Sequence, residues 1–354
     1  MTGSPITVLV LAAGGNVSEG ILKALALNSL PCRVIGADIG PLKLGLYTTD
    51  RAYISPWANN DGFLDWLLDL CRKESVQAIL TGAEAILPTL ACNAERIRAE
   101  TGAVCIVSDP ATLEICADKL FTCQWLIANG FQCPAYALSD DMPALQHLVE
   151  TYGYPLLAKP RYGGGSRGLV RVTDGADLEY VARKKGFLVQ RSIGDINSEY
   201  TAGCFSDRDG VVRGAIVLRR ELHEGTTVQA EAGLFPEVRE EAMKIAAALK
   251  PMGPSNIQIR LTEEGPVCFE INNRFSGTSP VRARFGFNDV EAALRHYVLN
   301  EPAYDLPVIT EGIMLRYWNE AYVDPAAFQR LQNAQCLETP AQYPIQIEDY
   351  GMRP

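Results

Sequence analysis

Three clusters of residues could do chemistry. The first is Asn256-Ile257-Gln258-Ile259-Arg260 with Val267-Cys268-Phe269-Glu270-Ile271-Asn272-Asn273-Arg274. Alternate residues of a strand share a face, so Asn256 goes with Gln258, and Glu270 goes with Asn272. The turn signal Glu263-Glu264-Gly265 between them predicts an antiparallel hairpin that brings Gln258 near Glu270. A carboxylate flanked by two amide oxygens is a hard, low-charge ligand set, suited to magnesium carried in with phosphates. Arg274, two residues further along that face, would reach toward a transferring phosphoryl group. The same residues also suit the solvated polar face of an ordinary hairpin.

The second cluster is Leu157-Ala158-Lys159-Pro160-Arg161-Tyr162-Gly163-Gly164-Gly165-Ser166-Arg167-Gly168. Glycines let backbone N–H groups approach phosphate oxygens, and a lysine adds a point charge. Here the lysine precedes the glycines, so the pattern is not G-x-x-x-x-G-K-[ST]. A glycine-rich hairpin at the surface accounts for it equally well. The third cluster is Ala13-Gly14-Gly15-Asn16-Val17-Ser18-Glu19-Gly20. A dinucleotide fingerprint would place glycines at 14, 16 and 19, but Asn16 and Glu19 hold two of those positions. Asp38, ending the second strand, keeps a nicotinamide reading open, whereas a tight strand-to-helix turn needs no ligand.

The elements that must position these residues follow from periodicity. Ile6–Leu11, Arg33–Ala37, Ala78–Leu80 and Val104–Val107 read as apolar strands. Helical patterns at Asn16–Leu27, Leu64–Cys71 and Ile86–Arg98 follow them in alternation. Strands apolar along their length, each followed by a helix, predict a parallel sheet covered on both faces. Next come helices at Leu113–Asn129 and Ala144–Tyr152 and strands at Leu156–Lys159 and Leu169–Val172, which read as a small α+β lobe. From Phe187 longer strands appear, including Thr201–Phe205 and Val211–Arg219, then a helix at Glu237–Leu249 and the hairpin described above.

Composition excludes several classes. With 32 Lys+Arg against 42 Asp+Glu the net charge is −10, which argues against a nucleic-acid partner. Hydrophobic residues make up 47% of the 354, an ordinary globular mix of two or three domains. No run approaches a membrane span, and the N-terminus reads as a buried strand rather than a signal peptide. The ten cysteines are scattered singly in apolar strings without a CxxC pair. That pattern predicts free thiols, a cytoplasmic setting and no zinc site.

Taken in order, the motifs resemble the ATP-grasp superfamily, and within it the carbamoyl-phosphate-synthase-like branch. The matching pieces are Asp118-Lys119 opening a helix, Ala158-Lys159-Pro160 before the Gly163–Gly165 loop, Val189-Gln190-Arg191-Ser192-Ile193-Gly194, Glu199-Tyr200, and Asn256-x-Gln258 with Glu270-x-Asn272-x-Arg274. The resemblance implies an α/β and α+β architecture, an ATP-grasp fold preceded by a Rossmann-like parallel-sheet domain. The implied division is residues 1–112 for the Rossmann-like domain, 113–187 for the small lobe and 188–354 for the lobe carrying the metal site. Lys119 and Lys159 would hold the α- and β-phosphates of ATP, and Gly163, Gly164, Gly165 and Ser166 would close over them as a lid. The hinge with Gln190, Arg191 and Ile193 would take adenine, and Glu199 the ribose hydroxyls. Gln258, Glu270 and Asn272 would bind Mg2+, with Mn2+ as a substitute. Arg274 and Lys159 would offset charge on the γ-phosphoryl group.

His223 falls where relatives place a phosphate or substrate contact, although a surface histidine suits the position almost as well. Many relatives carry glutamate at the position of Gln190 and aspartate at that of Gln258, the latter being glutamine in the carbamoyl-phosphate branch. The implied activity is ATP-dependent ligation of a small carboxylate to an amine through an acyl phosphate, releasing ADP. Carboxylation or phosphorylation of a metabolite, or non-catalytic nucleotide binding, are the alternatives. With one ATP-grasp unit and no glutaminase, a whole carbamoyl phosphate synthase is excluded on size, and a homodimer is allowed. Arg282 and Arg284 are candidates for a substrate carboxylate or for surface ion pairs; Tyr317 and Trp318 are candidates for core or pocket wall.

Overall fold

A computed structural model describes residues 4–165, 167–338, 342–343 and 345–348 of the chain. The first sheet has the spatial order Cys336–Glu338, Arg51–Ile54, Cys32–Asp38, Ile6–Leu11, Ala78–Thr81, Val104–Cys105. All its pairings are parallel except that of Cys336–Glu338 with Arg51–Ile54. Alternation sends the residues of the central strand to opposite faces. Leu9 and Leu11 pack with Leu67, Leu68 and Leu90 from helices Phe63–Glu74 and Leu87–Thr101. Ile6, Val8 and Val10 pack with Ile21 and Leu25 of helix Asn16–Ala26 on the other face.

That second core does not stop at the domain's edge. It continues into Phe205, Leu218, Phe287 and Leu294 of the C-terminal half. At about 1.5–3 kcal/mol for each fully buried large apolar side chain, the shared core makes the first sheet and the C-terminal sheet one unit.

The C-terminal sheet has six strands in the order Gly265–Asn272, Gly253–Thr262, Glu199–Ser206, Val212–His223, Thr226–Gly233, Glu311–Leu315, every pair antiparallel. On one face Tyr200, Ala202, Cys204, Ile257, Ile259 and Ile271 meet Val238, Ala242 and Ile245 of helix Pro236–Leu249. The intervening residues therefore point to the other face.

Between these units stands a four-stranded antiparallel sheet, ordered Tyr136–Leu138, Phe187–Arg191, Leu156–Pro160, Val170–Val172. Its core is its own: Ala137, Leu156, Ala158 and Val189 pack on Leu145 and Leu148 of helix Met142–Tyr152 and on Leu178 and Val181 of helix Gly175–Ala182.

Three features differ from the pattern read in the sequence. The helix expected at 113–129 is two, Pro110–Ala117 and Lys119–Ala128, broken at Asp118. Asp118 is extended, with φ −102° and ψ 114°, and its carboxylate accepts from the Leu120 N–H at 2.9 Å. An aspartate that captures a backbone N–H in this way caps a new helix instead of continuing the old one. The strand Arg51–Ile54 was hidden by its polar start and short length. Finally, helix Pro325–Ala334 and strand Cys336–Glu338 return to the first sheet, where Ala327, Leu331 and Leu337 bury against Leu46, Tyr47 and Ala52.

All ten cysteines are free thiols. Among the described residues no helix is long and apolar enough to cross a membrane.

Candidate active site

The four-stranded sheet and the polar face of the six-stranded sheet enclose a cavity of about 520 Å3. Register explains which side chains face it. Leu157 stands opposite Gln190 and Ala158 opposite Val189. Because Ala158 and Val189 go to the lobe's own core, Lys159 and Gln190 go to the cavity. On the other wall Glu199 pairs with Arg260, Thr201 with Gln258, and Gln258 with Glu270. A bulge between Gln258 and Ile259 leaves Gln258 opposite Glu270 while strand pairing resumes beyond it.

The cationic side of the cavity combines two ammonium groups. Lys119 opens helix Lys119–Ala128, and its Nζ donates to the Gly163 carbonyl at 2.6 Å. A lysine in the first helical turn opposes the helix dipole. Lys159 is half-buried, with its Nζ 5.2 Å from the centroid of the Phe269 ring. Burial pushes its ammonium below the usual lysine range; the Glu270 carboxylate draws it back up, and the Lys119 charge lowers it again. Two like charges, one of them at a helix N-terminus, are unfavourable alone and become favourable when a polyanion lies between them.

Gly163 and Gly165 adopt φ of +93° and +68°, a region that L side chains seldom enter. The turn at Gly225 lies against this loop, since a Cβ there would come within 2.6 Å of the Gly165 backbone. Ser166 lies outside the described residues.

The opposite wall is a network of amides, carboxylates and arginines. Glu270 Oε1 accepts from Gln258 Nε2 at 3.1 Å and from Asn272 Nδ2 at 2.9 Å. Gln258 Oε1 accepts from Arg220 at 2.7 Å, and Asn272 Oδ1 accepts from Arg274 at 3.0 Å. Among the described residues no lysine or arginine nitrogen lies within ion-pair distance of Glu270, nor do three His, Cys, Asp or Glu side chains converge as a metal cluster. Glu199 is buried, and its two oxygens are held by Arg220 at 3.0 Å and by Arg260.

Gln190 is buried beneath the base of the cavity, donating Nε2 to the Cys123 Sγ at 3.4 Å. Its Oε1 has no hydrogen-bond partner among the described residues. Arg191 and Ile193 also line the cavity, and the Arg191 guanidinium sits 4.8 Å from the Tyr152 ring centroid.

Residues 183–321 match the family described as ATP-grasp in the biosynthetic pathway with Ter operon, and residues 8–106 match the PylC-like N-terminal domain. The chain carries an ATP-grasp domain. N5-carboxyaminoimidazole synthetase from Staphylococcus aureus, solved with ADP, shares the fold at a TM-score of 0.68 and 14% identity, covering 90% of this chain and 84% of that one. The carbamoyl phosphate synthase large chain of Thermotoga maritima is 24% identical over 249 residues, 66% of this chain but 22% of that protein. D-alanine–D-alanine ligase from Rhodococcus jostii is 29% identical over 195 residues, 46% of this chain and 51% of the ligase. The chain thus spans about a fifth of the synthase large chain that it resembles.

The structure brings together Lys119, Lys159, Gly163, Gly164, Gln190, Arg191, Ile193, Glu199, Gln258 and Glu270 around one cavity. Asn272 and Arg274 continue the same wall. His223 is exposed at the end of its strand and does not line the cavity. Arg282 is wholly buried, pairing with Asp289 at 3.4 Å and with Asn256, in space left by the missing side chain of Gly203. It sits on the same face of the sheet as Gln258, further along the strands, and meets no solvent. Tyr317 and Trp318 are 68% and 70% exposed, neither core nor pocket wall. At the other glycine turn, Asp38 accepts from the Gly14 N–H at 2.8 Å, and the Lys43 side chain lies where a Gly14 Cβ would be. That turn is filled by the protein's own groups.

The residues missed from sequence are Arg220, Arg260, Phe269 and Cys123. Each enters the site through cross-strand or interlobe pairing, which leaves no local signature.

Proposed function

We propose that the chain is an ATP-dependent carboxylate–amine ligase that forms an amide through an acyl phosphate and releases ADP and phosphate. The supporting observation is one cavity with two ammonium groups on one side and, on the other, a carboxylate between two amides that no lysine or arginine among the described residues meets at ion-pair distance. Lys119 and Lys159 meet the α- and β-phosphates, with backbone N–H groups of the Gly163–Gly165 loop above them. The orphaned Gln190 Oε1 fits a 6-amino group as acceptor, because its amide nitrogen is already committed to Cys123. Glu199, fixed by Arg220 and Arg260, offers its remaining acceptor capacity to ribose hydroxyls.

Glu270 with the amide oxygens of Gln258 and Asn272 fits Mg2+, or Mn2+, as an all-oxygen set of low charge, once the two amides turn their oxygens inward. Magnesium bound there supplies neutralisation of phosphate charge. In the first step a carboxylate oxygen forms a bond to the γ-phosphorus as the bond to ADP breaks. Arg274 and Lys159 stabilise the charge that spreads over the phosphoryl oxygens. In the second, the amine nitrogen attacks the acyl carbon, phosphate leaves and the nitrogen loses a proton. Closure of the glycine loop keeps water from the acyl phosphate. Ten free thiols support a reducing, cytoplasmic setting for this chemistry.

The deciding experiment supplies MgATP with a panel of carboxylates and amines, and hydroxylamine as a trap. ADP release with hydroxamate formation is the expected result. Release of AMP, or no binding of MgATP, overturns the reading, and bicarbonate-dependent ADP release without an amine replaces it by carboxylation.

Lys159 gives this reading a pH signature. Phosphate oxygens favour the protonated amine, and burial has already lowered the proton affinity of the free site. MgADP binding should therefore weaken as pH rises, beginning at a lower pH than an ordinary lysine would give. Calorimetry across pH tests this, and Lys159→Arg should flatten the profile, because arginine keeps its proton throughout.

A further inference from the structure

A second cavity of about 670 Å3 adjoins the first, sharing Lys119, Gly163 and Glu270 with it. Most of its wall comes from two units joined by the shared core, and Tyr162 and Gly163 of the four-stranded lobe complete it. The first sheet's domain and the following helix supply an apolar part, Leu87, Pro88 and Leu113, and the Glu270–Arg274 segment supplies a polar end.

Two details mark the polar end as built for an anion. Arg274 Nε and Asn273 Nδ2 are buried donors with no partner among the described residues, an unfavourable state that an incoming acceptor relieves. The remaining guanidinium nitrogens are already fixed, donating to the Phe275 carbonyl at 2.9 Å, to Asn272 Oδ1 at 3.0 Å and to Glu84 Oε1 at 2.6 Å. Glu84 comes from the loop before helix Leu87–Thr101 and is 43% exposed at its side chain. It is thus a carboxylate of the protein resting beside the orphaned donors, where it sets a negative charge next to a positive one at the cavity's polar end. Glu114 is a further acid on the lining.

An adjacent cation and anion with an apolar floor are the complement of a zwitterion that bears an apolar substituent. We propose that this cavity binds an α-amino acid with an apolar side chain as the carboxylate substrate. Its carboxylate takes Arg274 Nε and Asn273 Nδ2, its ammonium takes Glu84, and its side chain covers Leu87, Pro88 and Leu113. The inference rests on the ligase reading, since the bound carboxylate then lies beside Glu270 and Lys119, where the γ-phosphoryl group would be. The volume exceeds what one amino acid fills, so the amine substrate enters through the same cavity.

Calorimetry on the whole protein saturated with MgADP tests this, with leucine, phenylalanine, glutamate, leucinamide and N-acetylleucine as probes. Leucine and phenylalanine should bind about tenfold or more tightly than the other three, each of which lacks one matched feature. Glu84→Gln should remove most of the preference for leucine over N-acetylleucine. Ala85→Trp, at an exposed position on the cavity lining, should weaken leucine by about tenfold and leave MgADP affinity within about twofold. Equal binding of glutamate or N-acetylleucine, or leucine binding untouched by Ala85→Trp, overturns the proposal while the ligase reading stands. Failure to bind MgADP at all overturns both.

Discussion

Glu270→Ala is expected to abolish ADP release while the protein stays folded. Glu270 is the carboxylate that stands between Gln258 and Asn272, and both amides point their N–H groups at its Oε1, at 3.1 and 2.9 Å. Removing it leaves two amides and the arginines Arg220 and Arg274, a set that repels a divalent cation. Charge stabilisation by a metal is worth several kcal/mol in a phosphoryl-transfer transition state, which corresponds to about 10^3-fold or more in rate. Steady-state ADP release measured beside MgADP and metal-free ADP binding separates the outcomes. The variant should bind ADP, lose the added affinity that magnesium confers, and turn over at least about 10^3-fold more slowly. Full activity in the variant would mean that the metal face lies elsewhere. Glu270→Gln should behave in the same way, because its amide keeps the shape and loses the charge.

The second large effect is expected at Asp118. Its carboxylate is fully buried, bonded to Arg161 through Nε at 3.0 Å and also through the terminal nitrogen, and it caps helix Lys119–Ala128. Burial alone would raise its carboxyl, but Arg161, the Leu120 N–H and Tyr162 outweigh burial and hold it below the ordinary aspartate value. Asp118→Ala leaves the Arg161 charge without its partner and the helix without its cap, costing about 3 kcal/mol for the pair and about 1 kcal/mol for the cap. Both consequences reach the site, since Lys119 follows Asp118 directly and Arg161 leads into the glycine loop. Denaturant unfolding should show the lost stability, and MgADP affinity should fall with it. The pH dependence has a definite sign. A carboxyl held low in the folded state contributes fully above its ordinary value near 3.8, and that contribution disappears as pH falls through the lower folded value. Asp118→Asn, which keeps a cap, should therefore lose stability at neutral pH but narrow its deficit under acid conditions.

How much of this was legible in the sequence depended on the range of the information. Strand alternation placed Gln258, Glu270 and Asn272 on one face, because period 2 is a local property and a glycine turn joins the two strands. The parallel sheet was legible for the same reason, from apolar runs alternating with helices. Periodicity alone ran one helix through Asp118, whereas the family resemblance marked Asp118-Lys119 as opening a helix; its partner Arg161, 43 residues on, has no local signature. Arg220 and Arg260 reach Glu199 across strand pairings whose register no local pattern specifies. Arg282 read as a substrate contact or a surface arginine, since nothing nearby announces that Gly203 and Asp289 make a buried place for it. The helix and strand at 325–338 pack on residues 46–53, a return that composition could not indicate.

The four-stranded lobe enters and leaves the chain at neighbouring points. Strand Tyr136–Leu138 pairs with Phe187–Arg191, and the Arg191 N–H donates to the Ala135 carbonyl at 2.8 Å at the base of the pair. The lobe is in effect a cassette of some fifty residues mounted on a two-stranded stem, with its own core and with a single point of insertion into a rigid frame. It carries Lys159, Gln190 and the glycine loop as a single payload, while Glu270, Arg274 and the apolar residues Leu87, Pro88 and Leu113 stay with the frame. The nucleotide cavity is thus assembled from two separately folded halves, and substitutions in the lobe's half leave the apolar floor of the neighbouring cavity as it is.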